Sequence, residues 1–213
     1  MAVFLRFRIR RYVVMADLAK FYHSVGIPRS DYDAFRFVWY ENGIGTKIVD
    51  YRFTVHIFGG IASQSCSALA LFTAISEAVK AGKLSQGDGN LIKDSFYSDD
   101  FLPSFDDVDT AVALILTLLT ELQASNFHLT KFVSNSPELL FKILNDRIAP
   151  DVTEAISENQ VISALGVEWS PADDQLMYRF DIPPDDVTTK RSLLSSIAQC
   201  YDPAGLIAFS IIP

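Results

Sequence analysis

Residues 91–102, Leu-Ile-Lys-Asp-Ser-Phe-Tyr-Ser-Asp-Asp-Phe-Leu, decide how this chain is read. Leu91–Tyr97 has the apolar and aromatic content of a strand, Ser98-Asp99-Asp100 that of a tight turn, and Phe101-Leu102 that of a second short strand. Adjacent aspartates alone mean little. Four such pairs occur, at 99–100, 106–107, 173–174 and 185–186, and most should be solvated turns or helix caps. The pair at 99–100 is set apart by its flanks, because apolar strands on both sides place two like charges at one end of a sheet.

Upstream, Tyr12–Ala16 is a continuous apolar, β-branched run that predicts a buried strand ending at Asp17. Bringing Asp17 beside Asp99 and Asp100 without a cation would raise a carboxyl pKa through like-charge repulsion. Two Mg²⁺ ions would relieve it, since Mg²⁺ favours carboxylate oxygen. Metals about 3.5–4 Å apart can activate an attacking hydroxyl and stabilise a leaving oxygen in phosphoryl transfer. The same residues also read as a helix N-cap at Asp17 and an ordinary turn at 99–100.

Outward from these points, residues 4–10 alternate apolar residues with Arg6, Arg8 and Arg10, which predicts a half-buried strand with a basic face. Leu18–Val25 has the spacing of a short helix stopped by Gly26 and Pro28. Strands are predicted at Ala34–Tyr40 and Lys47–Phe58 around the turn Asn42-Gly43-Ile44-Gly45, then a helix from about Ser65 to Ala81 and a loop over 82–90. Ser104 or Asp106 is placed to cap a helix running to about Ser125, with a further helix at 136–146. Val161–Trp169 and Gln175–Asp181 read as strands joined at Pro171-Ala172-Asp173-Asp174, and a last helix starts near Thr188. Hairpins mixed with helices argue for an α+β fold.

The 213 residues carry a formal charge of −8 and are 49% hydrophobic, enough for a sizeable core. Acidity argues against a protein that coats nucleic acid electrostatically, yet the charge is uneven. Residues 1–60 hold 9 Lys+Arg against 5 Asp+Glu, and residues 61–213 hold 9 against 21. Cys66 and Cys200 stand far apart, giving neither a disulfide framework nor a cysteine zinc site, and the three histidines, His23, His56 and His128, lack metal-ligand spacing. The apolar N-terminus is broken by four arginines, so no signal peptide is expected. Residues 111–119 fall far short of the roughly 20 apolar residues that span a bilayer, so a soluble, cytoplasmic protein with no membrane partner is expected.

Five stretches carry a resemblance. Residues 11–22 (Arg-Tyr-Val-Val-Met-Ala-Asp-Leu-Ala-Lys-Phe-Tyr) resemble the motif bearing the first catalytic aspartate of reverse transcriptases, and Tyr97-Ser98-Asp99-Asp100 resembles their Tyr-x-Asp-Asp motif. Phe127–Asn135 and Ala164–Trp169 resemble the next two motifs in order, and Tyr201-Asp202-Pro203-Ala204-Gly205-Leu206 a run found in the Pao/BEL group of LTR retrotransposons. The chain thus resembles the palm of a Pao/BEL reverse transcriptase.

That resemblance implies an RNA-directed DNA polymerase in which Asp17 and Asp99 are the main ligands of two Mg²⁺ ions, with Asp100 supporting and Mn²⁺ as a substitute. A primer 3′-hydroxyl would attack the α-phosphate of a dNTP on an RNA or DNA template. Tyr22, five residues after Asp17, falls at the family's sugar gate; a core aromatic is the other reading. Phe58-Gly59 matches the nucleotide pocket, although Gln64 stands where the family usually has proline. Lys131 matches a lysine that neutralises leaving pyrophosphate, or is a solvated surface lysine, and Leu165-Gly166 matches the primer grip. The implied division is residues 1–16 as the end of the fingers and first palm strand, 17–182 as palm, and 183–213 as a truncated start of the thumb or connection region. Remaining fingers, thumb and RNase H regions would belong to a larger polyprotein, and virus-like particles are an implied location. With those regions missing, the isolated chain is expected to be weak or inactive. Asp109-Thr110-Ala111 lacks the glycine of an aspartic peptidase triplet, so no peptidase is expected. The alternative is a non-catalytic retrotransposon remnant, or a domesticated palm acting as an interaction module.

Overall fold

A computed structural model describes residues 2–145, 162–164, 166–177, 189–192 and 194. In chain order the elements are α1 (Ala2–Phe7), β1 (Tyr12–Ala19), 3-10 turns at Tyr22–Ser24 and Arg29–Phe35, β2 (Arg36–Tyr40), β3 (Ile48–Arg52), α2 (Ser63–Lys80) and α3 (Gln86–Ser95). There follow β4 (Phe96–Tyr97), β5 (Asp100–Phe101), β6 (Ser104–Phe105), α4 (Val108–Ala124), β7 (His128–Ser134), α5 (Pro137–Asn145), β8 (Ile162–Ala164), β9 (Val167–Ser170) and β10 (Gln175–Met177). Every strand pairing among them is antiparallel, so the architecture is α+β.

Strand β1 is the centre of a five-stranded sheet. One edge pairs with β7; the other pairs with β5 near its C-terminal end and with β6 near its N-terminal end. Between those two, the Val14 N–H donates to the Pro103 carbonyl at 3.1 Å, which keeps the ladder continuous past a residue that has no N–H. The apolar run is continuous because both faces are covered. Val14, Ala16 and Leu18 enter the main core with Leu71 and Ile75 of α2, Ile92 of α3 and Ile115 and Leu118 of α4. Val13 and Met15 point the other way, toward Phe7, Leu102, Val133 and Trp169. Alternation puts Asp17 on this second face, next in line after Met15.

Several expectations are corrected. Residues 4–10 are not a strand: Phe4 and Phe7 lie three apart and both are buried, which is helical spacing, while the arginines only mimic alternation. The helix expected at Leu18–Val25 gives way to two more residues of β1, because Leu18 and Ala19 pair with Leu129 and His128; only Tyr22–Ser24 turns. The loop expected at 82–90 ends at Ser85, and from Gln86 helix α3 replaces the rest of it and most of the strand expected at Leu91–Tyr97, leaving the two-residue strand β4. Ser85 caps α3: its Oγ accepts from the Asp88 N–H at 3.1 Å and donates to the Asp88 carboxylate at 2.6 Å. The cap of α4 is Asp107, which accepts from the Thr110 N–H at 2.7 Å, whereas Ser104 lies in β6. The strand expected from Lys47 stops at Arg52.

Val161–Trp169 is two strands, folded back at Gly166 with φ +83, a value costly for any residue with a side chain. The β8–β10 sheet is anchored to the end of α1 through Trp169, whose ring meets Phe7 edge-on at 5.1 Å, and through an Arg8–Asp174 ion pair, and Trp169 shares its apolar cluster with Val13 of β1. Thr189 and Ser192 exchange capping hydrogen bonds where the last helix was expected to start. Leu165, the Tyr201 run and the end of the strand expected to Asp181 lie outside the described residues. Among the described residues no helix is long and apolar enough to cross a membrane.

Since α3 leads directly into β4 and the Ser98 turn, its start should matter for stability. Ser85→Ala is expected to cost about 1 kcal/mol in urea denaturation, with the slope unchanged. A loss below about 0.3 kcal/mol would mean that the cap does not hold α3 in place.

Candidate active site

The register of β1 and β5 sets Asp17 directly opposite Asp100, with Ala16 opposite Phe101. Directly opposed residues of an antiparallel pair share a face, so both carboxylates emerge on the side of the sheet where Met15 is only partly covered. Asp99 sits in the two-residue turn between β4 and β5, where Tyr97 pairs with Asp100. Ser98, its partner in that turn, has φ +57, a left-handed conformation that serine seldom adopts. The turn is pinned to β1 by the Leu18 N–H, which donates to the Asp99 carbonyl at 2.8 Å. Asp17, Asp99 and Asp100 are therefore brought together by strand register and one backbone hydrogen bond.

Burial and like charge act together on this arrangement. Burial, then the charges of Asp99 and Asp17, push the Asp100 carboxyl up to about 6, and Lys131 only partly offsets them. Lys131 reaches the site through an irregularity in the sheet. Met15 pairs with Val133 and Asp17 with Thr130, so Lys131 and Phe132 together oppose the single residue Ala16. Such a bulge re-aims side chains. Phe132 turns into the main core, and Lys131, at φ +57, sends its Nζ to 3.5 Å from Asp17 Oδ2.

Tyr22 is half-buried beside Asp17's strand. Its ring meets Phe58 edge-on at 4.7 Å, and its hydroxyl donates to Gln64 Oε1 at 2.6 Å. Phe58 is 70% exposed. Gly59 follows at φ +82 with open space where a Cβ would stand, so its requirement is conformational rather than steric. The sequence reading omits Gln64 and Ser98 from the site. Gln64 Oε1 also accepts from the Ser98 hydroxyl at 3.1 Å, and the only signal in the sequence was that Gln64 interrupts the expected pattern. Gly166 lies in the separate β8–β10 sheet, and among the described residues no hydrogen bond joins it to the carboxylates.

Among the described residues no group of three or more His, Cys, Asp and Glu side chains forms a ready-made metal site. The donor chemistry of Asp17, Asp99 and Asp100 nevertheless suits a hard cation: all the donors are carboxylate oxygens, and their mutual repulsion needs a counter-charge beyond Lys131. No protein-family model and no curated protein matches the chain.

The electrostatics predict a pH dependence. A carboxyl whose folded pKa is raised from 3.8 to about 6 stabilises the fold most below about pH 4, and that contribution is lost as pH rises through 6. Asp100→Asn should therefore be more stable than the parent at pH 7–8 in chelator-treated buffer. We expect about 1 kcal/mol, discounted for the site's partial exposure, and no difference at about pH 4. Equal stabilities at both pH values would show that burial and the neighbouring carboxylates do not disfavour the ionised Asp100.

Proposed function

We propose that this chain is the palm of an RNA-directed DNA polymerase similar to those of Pao/BEL retrotransposons. The observation that carries the reading is the pairing of Asp17 with Asp100 across β1 and β5, with Asp99 in the adjoining turn. The order of the resembling motifs agrees with it, since the first, second and third supply β1, the β4–β5 hairpin and β7 of one sheet. In this reading a primer 3′-hydroxyl attacks the α-phosphate of a bound dNTP, a new phosphodiester bond forms, and pyrophosphate leaves.

Asp17 and Asp99, supported by Asp100, would hold two Mg²⁺ ions, with Mn²⁺ as a substitute; the ions would activate the hydroxyl and stabilise the leaving oxygen. The remaining work falls to the chain's own groups. The Tyr22 ring, steadied by Phe58, would lie under the sugar and exclude a ribose 2′-hydroxyl. The backbone at Gly59 leaves room for a nucleotide to approach. Lys131 supplies positive charge that balances Asp17 in the free protein and would balance the leaving pyrophosphate during turnover. Leu165 and Gly166 would contact the primer backbone. Template, primer and dNTP are the partners implied.

A second reading, an interaction module, draws on the β2–β3 ribbon. It leaves Val38, Trp39 and Ile48 each more than half exposed, an unusual amount of apolar surface for two strands.

Primer extension on an RNA template separates the two. Only weak, non-processive dNTP addition is expected of the isolated chain; whatever addition occurs should need Mg²⁺ or Mn²⁺ and fall at least about 100-fold in Asp17→Asn or Asp99→Asn, and processive synthesis would overturn the expectation that further regions are needed. Mg²⁺ should also raise the melting temperature of the parent and leave both variants unmoved. Cation-dependent stabilisation lost in both variants would exclude the interaction module and its absence would support it, whereas any RNA-templated dNTP addition separates the polymerase from a different two-metal phosphotransferase.

A further inference from the structure

We infer that Gln64 is a positioning residue that ties the Tyr22 ring to the Ser98–Asp99 turn and thereby sets how strictly the site separates deoxyribose from ribose. The second half rests on the proposed polymerase function; the tie itself does not.

One oxygen joins two distant points of the chain. Gln64 Oε1 accepts from the Tyr22 hydroxyl, 42 residues away in sequence, and from the Ser98 hydroxyl, 34 residues away. An amide oxygen has two lone pairs, so both bonds can form together. Gln64 belongs to the first turn of α2, whose Ser67, Leu71 and Ile75 are buried, so the acceptor is mounted on an anchored helix. The tyrosine is fixed at both ends. Phe58 meets its ring and Gln64 holds its tip, so both contacts restrain the side chain against a rotamer change. On the other side, the tether reaches the residue of the carboxylate turn that has the left-handed backbone, next to the Asp99 carbonyl already bound by the Leu18 N–H.

Three separate elements, the turn after β1, the start of α2 and the β4–β5 turn, thus meet at a single side chain. Proline, which the family resemblance leads one to expect at this position, has no group able to make either bond. A sugar gate works by sterics, and a ring free to swing away by a rotamer step admits the extra hydroxyl. Restraining the phenol therefore acts on discrimination more than on the chemical step.

Two variants separate acceptor from bulk: Gln64→Met keeps the length and loses the oxygen, and Gln64→Glu keeps an acceptor. Hydrogen exchange reads the tie without any need for activity. In Gln64→Met the amides of residues 98–101 should exchange about 5-fold faster, with those of α4 unchanged and Gln64→Glu within about twofold of the parent. The Tyr22→Phe/Ser98→Ala double variant should match Gln64→Met, and adding Gln64→Met to it should change nothing further. In nucleotide addition, Gln64→Met should lose about tenfold of the preference for dNTP over rNTP, chiefly through a lower KM for the ribonucleotide, and Gln64→Glu should keep it. Unchanged exchange in Gln64→Met would overturn the tie. Faster exchange with unchanged preference would overturn its role in sugar selection. If the parent adds neither nucleotide, the sugar role fails for this chain, and exchange alone still decides the tie.

Discussion

Strand β1 is hydrogen-bonded along both edges and packed on both faces, and the site depends on where that cover ends. For most of its length the alternate side chains disappear into one apolar cluster or the other. At Asp17 the second cluster stops while the hydrogen bonding to β5 and β7 continues. A charged side chain is thus held by a strand paired on both edges, at the point where the apolar cover of that face gives out. Placing Asp100 opposite Asp17 needs nothing beyond that register, because a one-residue slip of β5 would send the Asp100 carboxylate toward the helical core.

This rigidity allows the site to hold charges that repel. Two cross-strand carboxylates and a third in the adjoining turn are unfavourable neighbours, and two residues in left-handed conformations, Ser98 and Lys131, stand beside them. None of these features would persist in a loosely packed segment. The surrounding core, from Phe101 tilted against Phe96 to Phe132 beneath the bulge, supplies the stability that offsets them. An arrangement of this kind is poised to favour positive charge over none, which is the electrostatic requirement of phosphoryl transfer.

Much of this was legible in the sequence, and the failures share a physical cause. Tyr12–Ala16 reads as a buried strand because five consecutive apolar residues have few other places to go, and α4 declares itself through Val112, Ile115, Leu116, Leu119 and Leu122, although Val112 and Leu116 turn out only partly buried while Ala111 and Leu118 are fully so. Residues 4–10 mislead because arginines at alternate positions imitate a strand, although burial follows Phe4 and Phe7. Leu91–Tyr97 misleads because its apolar content belongs to two elements: Ile92 faces the core from a helix and Phe96 from a strand. Asp106 and Asp107 are equivalent as caps until the first turn selects the residue whose oxygen reaches the Thr110 N–H. The carboxylates are found from their flanks, but the aim of Lys131 depends on a bulge opposite Ala16, and that of Gln64 on two partners far away in sequence. Neither register shifts nor long-range tethers leave a local pattern to read.

The bulge also sets two demands on one position against each other. A backbone at φ +57 is most comfortable as glycine or asparagine, whereas a side chain that must extend to Asp17 needs length and charge. Selection for thermal robustness alone would drive position 131 toward glycine, and with it the site would lose its internal counter-ion. The fold therefore has its stability optimum and its electrostatic optimum at different residues, and lysine at this position lies on the electrostatic side.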